Sequence, residues 1–160
     1  MITEEEYGYR LVIDGNDLER YDEYYFALHP KARNRPIPHP YHESINTWMV
    51  MKRPMMNALK QRWKDFISWM VSESGCQGRK IAECEVRQKI YYPSGRRHDV
   101  DNTVPKFILD GLVEGGLIED DDSRHIRKLT LECGVDRSSP RTEIEIIIEK
   151  NSEAQNGDNK

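Results

Sequence analysis

Residues 80–102 read KIAECEVRQKIYYPSGRRHDVDN. Over residues 80–92, Ala82, Cys84, Val86, Ile90 and Tyr92 alternate with Glu83, Glu85, Arg87 and Lys89. A period of two with one apolar side predicts a half-buried strand. Pro93-Ser94-Gly95-Arg96-Arg97 is a polar turn, and the chain then reaches Asp99-Val100-Asp101-Asn102. Asn102 is placed to cap a helix over residues 103–114, with Pro105 in its first turn. Val104, Ile108 and Leu112 form its apolar stripe, and Gly115-Gly116 stops it.

On the N-terminal side, Leu59, Trp63, Phe66, Ile67 and Met70 recur at helical spacing, and Pro54 suits a first turn. They predict a helix over residues 54–73, with Lys60, Arg62 and Lys64 off its apolar stripe. Residues 9–14 are a short strand followed by the turn signal Gly15-Asn16. Residues 29–43 hold four prolines and read as an exposed basic loop. On the C-terminal side, Leu129, Leu131, Cys133 and Val135 alternate with polar residues, as do Ile144, Ile146 and Ile148. These two strands are expected to close the domain as a hairpin. The fold class is therefore α+β, a mixed β-sheet with helices packed on one face in two layers. One domain is expected over residues 1–150, with a flexible polar tail at 151–160.

At 160 residues the chain is long enough for one self-sufficient core, so it needs no disulfide or metal merely to fold. Cys76, Cys84 and Cys133 are odd in number and contain no CxxC, which argues for reduced thiols, two of them in strand cores. No apolar run approaches the ~20 residues that span a bilayer, and the N-terminus is acidic where a signal peptide is basic. The expected location is the cytoplasm, with no membrane partner. The net charge of −4 hides a division. Residues 1–30 carry two bases and eight acids, residues 31–106 fifteen bases and seven acids, and residues 107–160 seven and thirteen. A basic block between acidic ends suits a surface that tracks phosphates beside one that gathers carboxylates.

On an extended backbone Asp99 and Asp101 point to one side, where they can share a hard cation. Some twenty residues on, Glu119-Asp120-Asp121-Asp122 adds four consecutive acids. Crowded like charges of this kind are costly unless exposed or neutralised by metal. Taken alone the run reads as a solvated turn and the pair as a helix cap; taken with the basic block they read as a cation site.

The string RRHDVDNTVPKFILDGLVEGGLIEDDD, residues 96–122, resembles the RusA family of Holliday junction resolvases. That family's signature is a DxDN element, a Lys on the next helix, an Asp one turn later and an Asp-Asp pair after a glycine turn. The matching positions are Asp99, Asp101, Asn102, Lys106, Asp110 and Asp120-Asp121, with Ser44-Ile45-Asn46 as a looser match upstream. Lys106 lies one residue further from Asn102 than in the best-known members, with Pro105 in the interval. The resemblance implies Mg²⁺, or Mn²⁺, held by Asp99, Asp101 and Asp121, with Lys106 also catalytic. Asp120, Asp122, Asn102 and Asp110 are possible additions to that site. It implies a homodimer that nicks opposed strands of a four-way DNA junction in recombination and repair, with a prophage as the expected setting. Arg96, Arg97, Lys31, Arg33, Arg35, Lys52 and Arg53 are the candidate phosphate contacts. Trp48, Met49, Met51, Met55 and Met56 are candidate interface residues, most of them better suited to core packing.

Other readings fit less well. DxDxT phosphatase chemistry needs its first Asp at the end of a buried strand, whereas Asp99 follows a polar turn. An EF-hand from Asp120 has His125 where glycine is required. His39 and His42 lack a third zinc ligand. The remaining alternatives are a non-catalytic binder of branched DNA and a nuclease for another DNA structure.

Overall fold

The fold is set by one amphipathic sheet whose apolar side is roofed by helices. In this computed structural model, which describes residues 1–149, the strands are β1 (Ile2–Glu5), β2 (Gly8–Ile13), β3 (Cys84–Tyr92), β4 (Ile126–Val135) and β5 (Arg141–Ile147). The helices are α1 (Gly15–Leu28), α2 (Ile45–Trp48), α3 (Arg53–Glu73) and α4 (Lys106–Glu114), with a 3₁₀ turn at Val100–Thr103. The strand order is β1-β2-β5-β3-β4, antiparallel except for the parallel β3–β4 pair. The α+β class with a mixed sheet is as expected. The tail expected at residues 151–160 lies outside the described residues.

The expected hairpin of the last two strands does not form. β4 and β5 lie on opposite sides of β3, because β4 runs parallel to β3 and the chain crosses over before β5 pairs antiparallel to it. Alternation in sequence reports which face a strand buries and nothing about its neighbour, so two adjacent strand patterns do not make a hairpin. Register places Leu11 and Ile144 opposite each other, Ile144 opposite Gln88, and Val86 opposite Ile146, all on the buried face. On the other face, Arg10 pairs with Glu143 at 3.1 Å and Arg87 with Glu145 at 3.1 Å.

Every residue of the predicted α3 stripe is buried. Against that stripe α4 packs closely, because Gly111 and Gly115 present no side chain where Ile67 and Val71 approach. A Cβ on Gly111 would lie 2.6 Å from the Cβ of Ile67. The helix stop at Gly115-Gly116 holds, and Gly116 takes the left-handed φ of 79° that glycine tolerates.

Several other expectations need correction. The strand starts at Cys84 rather than residue 80, and Ala82 is exposed; Gln88 instead occupies a buried position on the apolar face. The helix expected from residue 103 is divided into the 3₁₀ turn and α4. Asn102 lies inside that turn and Pro105, not Asn102, occupies the cap position. Val104-Pro105 breaks the run because proline disfavours helical backbone in the residue before it. β4 is an edge strand beyond the helical roof, so Leu129 and Val135 are exposed although their register is that of the core face. Cys84 is in the core, whereas Cys133 on β4 is only half-buried and the other buried thiol, Cys76, follows α3.

Helix α1 was not anticipated, and Gly15-Asn16, read as a turn, instead opens it. Asp14 and Asp17 form a reciprocal capping box, and Leu18 and Tyr21 turn inward. The proline loop has no regular structure, as expected, yet its second half is not free. Ile37 and His42 are buried, and Thr142 Oγ1 donates to the Pro40 carbonyl at 2.7 Å.

Candidate active site

The acidic pair emerges where β3 ends and the polar turn 93–97 leads into the 3₁₀ turn. Asp99 flanks that turn; its carbonyl accepts from Asn102 N–H at 3.0 Å, and its carboxylate meets Arg97 Nε at 3.4 Å. Asp101 is exposed and has no hydrogen-bond or ion-pair partner among the described residues. The turn is held from beneath. Thr103 Oγ1 donates to the Val100 carbonyl at 2.6 Å, and buried Gln88 Nε2 donates to the Thr103 carbonyl at 2.7 Å. The polar residue that interrupts the β3 apolar pattern thus anchors the segment carrying both carboxylates.

Lys106 begins α4, directly after the Val104-Pro105 break. Its Nζ donates to Asp110 Oδ1 at 2.9 Å, one helical turn on, and to Asp121 Oδ2 at 2.8 Å. Burial works against the ammonium charge, but its hydrogen bonds to the Asp121 and Asp110 carboxylates outweigh that and raise the Lys106 pKa above the ordinary lysine value. Burial also opposes ionisation of Asp110, and Lys106 together with Lys60 overcomes it, leaving the Asp110 pKa below the usual range. Lys60 Nζ lies 3.4 Å from Asp110 Oδ2. Lys60 and Asp110, with Lys64, Asp120 and Asp121, line an open depression of about 390 Å³.

The three acids at the end of the run have different roles. Asp120 Oδ1 accepts from Asp121 N–H at 2.7 Å. Asp122 is held by Arg124 through Nε, Nη2 and backbone N–H, and by His125 Nδ1 at 2.7 Å. The Arg124 and His125 hydrogen bonds hold its carboxyl well below the usual carboxylate range. Asp121 is the member aimed at Lys106. Among the described residues, one set of three ligating side chains has donor atoms within 4.8 Å of one another: Asp120, Asp122 and His125. Asp99, Asp101 and Asp121, the set expected to share a cation, are not part of it and do not all come within that distance of one another in this structure. Asp99 opens instead on a neighbouring polar cleft with Ser44, Asn46 and Asn102.

The candidate DNA contacts are dispersed. Arg96 and Arg97 are exposed beside Asp99. Lys52 and Arg53 start α3, where a helix N-terminus adds to their positive potential. Lys31 and Arg33 are exposed on the proline loop, and Arg35 is paired with Asp22 of α1 at 2.5 Å, so its charge is locally spent. Of the candidate interface residues, Met49 and Met55 are exposed, while Trp48, Met51 and Met56 pack against the core. A larger cavity of about 460 Å³, between Tyr9, Arg79, Cys84 and Arg127, contains none of these residues.

Two neighbours of the site were not singled out from sequence. Lys60 was read only as lying off an apolar stripe; its reach to Asp110 depends on how α3 crosses α4. His42 was read as a loop histidine, and its environment shows otherwise. Its Nδ1–H donates to the Glu43 carbonyl at 2.6 Å, so Nε2 is free to accept from Phe107 N–H at 3.2 Å. Phe107 is the second residue of α4, and the N–H groups of a first turn have no partner within their own helix. His42 supplies one, next to Lys106.

The chain matches no known family, and no curated protein matches it. No helix among the described residues is long and apolar enough to cross a membrane.

Proposed function

We propose that this protein is a divalent-metal-dependent endonuclease that resolves four-way or other branched DNA by paired nicks, acting as a homodimer. The observation that carries the reading is the Lys106 ammonium held between Asp110 and Asp121, on the helix that follows the Asp99–Asp101 pair. A lysine serving only as a surface ion pair needs one carboxylate; this one has two and keeps its charge.

The donor chemistry fits a hard cation. Asp99, Asp101 and Asp121 offer only carboxylate oxygens, and Asp101 has no protein partner among the described residues to displace. When bound, Mg²⁺ or Mn²⁺ would polarise the scissile phosphate and lower the pKa of a water. Lys106, kept protonated by its neighbours, donates to a phosphate oxygen as negative charge builds there in the transition state. Asp110 and Lys60 orient that ammonium. Gln88 and Thr103 keep the turn bearing Asp99 and Asp101 in one conformation. Arg96 and Arg97 grip the backbone beside the cut without reading sequence.

A four-way junction has two-fold symmetry, so resolving it takes two sites related by a two-fold axis. Exposed Leu129 and Val135 on the edge strand, and Met49, Val50 and Met55 around α2, are apolar surface available to such a dimer. The test is cleavage of an end-labelled four-way junction in Mg²⁺, beside linear duplex and single strand, with Asp101→Asn as control. Symmetric paired nicks that vanish in the variant support the proposal. Junction binding without cleavage in either Mg²⁺ or Mn²⁺ makes the protein a non-catalytic binder, and cleavage confined to another DNA structure reassigns the substrate.

A further inference from the structure

We propose that the cleft beside Asp99 is a nucleobase pocket that takes one unpaired base next to the phosphate to be cut. This rests on the nuclease reading above and adds to it a site where the enzyme touches a base rather than the backbone.

The cleft, about 170 Å³, has room for one flat heterocycle and not for a paired duplex. Its wall is aromatic. The exposed imidazole of His98 lies flat on Tyr92, with ring centroids 3.6 Å apart and planes within 3°. Tyr92 is buried at the end of β3 and braced by Tyr41 at 5.0 Å, and Tyr41 stacks in turn on His39 at 4.4 Å. A solvent-facing ring normally samples several rotamers; this one is stacked on a buried tyrosine that is itself in a tilted contact with the Tyr41–His39 stack. A preorganised ring at the mouth of a cleft is a stacking platform, and base stacking on such rings is how proteins hold single-stranded nucleotides.

The polar lining suits a base edge. Asn46 and Asn102 each offer an amide donor and acceptor, the pairing that matches the hydrogen-bonding edges of nucleobases, and Ser44 adds a hydroxyl. Arg97 stands over the same cleft, 3.4 Å from Asp99, where a nucleotide's phosphate would follow its base. Base pairs at a branch point stack less continuously than those inside a duplex and open at lower cost, so the pocket favours branched substrates without reading a long sequence. It comes from two distant stretches, Ser44–Asn46 and residues 92–103, which explains why no linear motif announces it.

The test is a thermodynamic cycle read by binding alone. Affinity is measured by fluorescence anisotropy in EDTA, with a labelled four-way junction and with copies carrying one abasic nucleotide, moved position by position through the branch point. In the wild type, removing the base at one position should weaken binding roughly tenfold or more. In His98→Ala the same abasic junction should bind like the intact one, and His98→Phe should restore the difference. Asn46→Ala should erase any preference among the four bases at that position while leaving the stacking difference in place. Equal abasic effects in the wild type and His98→Ala at every position, or none at any, overturn the pocket. Because no metal is present, the outcome is separable from catalysis. A positive cycle in a protein that never cleaves keeps the pocket and removes the nuclease reading. Clean cleavage with a flat cycle does the reverse, and binding to no DNA at all removes both.

Discussion

His42 should make the stability of this protein depend on pH in a window where carboxylates do not titrate. The imidazole is 3% exposed, with Nδ1–H on the Glu43 carbonyl and Nε2 accepting from Phe107 N–H. Burial pushes its pKa below the ordinary histidine value, against the opposing pull of the Glu43 carbonyl and the Glu43 and Asp110 carboxylates. A proton on Nε2 would also remove the acceptor that α4 uses. The unfolded chain, with a histidine pKa of about 6.5, therefore binds this proton more readily than the folded one. Stability is complete above that value and falls as pH drops from about 6.5 toward the folded-state pKa, with a limiting slope of about 1.4 kcal/mol per pH unit. For an m-value of roughly 1–3 kcal/mol/M, the urea midpoint should move by about 0.5 to 1.4 molar per pH unit. The assay is urea unfolding followed by tryptophan fluorescence at steps from pH 7.5 to 5. His42→Gln, which cannot titrate, should start lower by about 1–3 kcal/mol for the disturbed buried hydrogen bonds and be flat over the same range. Parallel pH curves for the two proteins would refute the reasoning.

Three further outcomes are expected. Gly111→Ala forces a methyl to within 2.6 Å of Ile67 in the α3–α4 seam and should cost about 1–3 kcal/mol in denaturant unfolding; a neutral result would mean the helices can part freely. Removing the cap in Asp14→Ala takes away the acceptor for Asp17 N–H and should cost about 0.5–2 kcal/mol, read as a lower thermal midpoint. In Asp110→Asn the Lys106 ammonium loses one of the two carboxylates that raise its pKa, so under the proposed nuclease reading the alkaline limb of the cleavage rate should move to lower pH; an unmoved limb would mean that another group sets it.

Much of the architecture is written locally. The period-two runs of β3 and β5 and the helical stripe of α3 identify the buried faces without further information, because a side chain's direction follows from backbone geometry. The segment from Asp99 to Asp122 likewise contains the residues on which the proposed site is built, down to the Lys106–Asp110 spacing of one helical turn. Local pattern is silent about partners across space. It did not reveal that β3 separates β4 from β5, that the edge position of β4 leaves Leu129 and Val135 exposed, or that Asp121 is the member of its run that meets Lys106. Those depend on which elements come to lie side by side, a global compromise among packing, register and chain crossover. The same holds for His42, whose role exists only because a proline loop folds under the start of α4, and for Gln88, a polar residue in an apolar row that holds the carbonyl of Thr103. Composition and spacing name the residues capable of this chemistry; tertiary packing selects their partners, because hydrogen bonds and ion pairs act over a few ångströms and the residues that make them here can lie more than 100 positions apart.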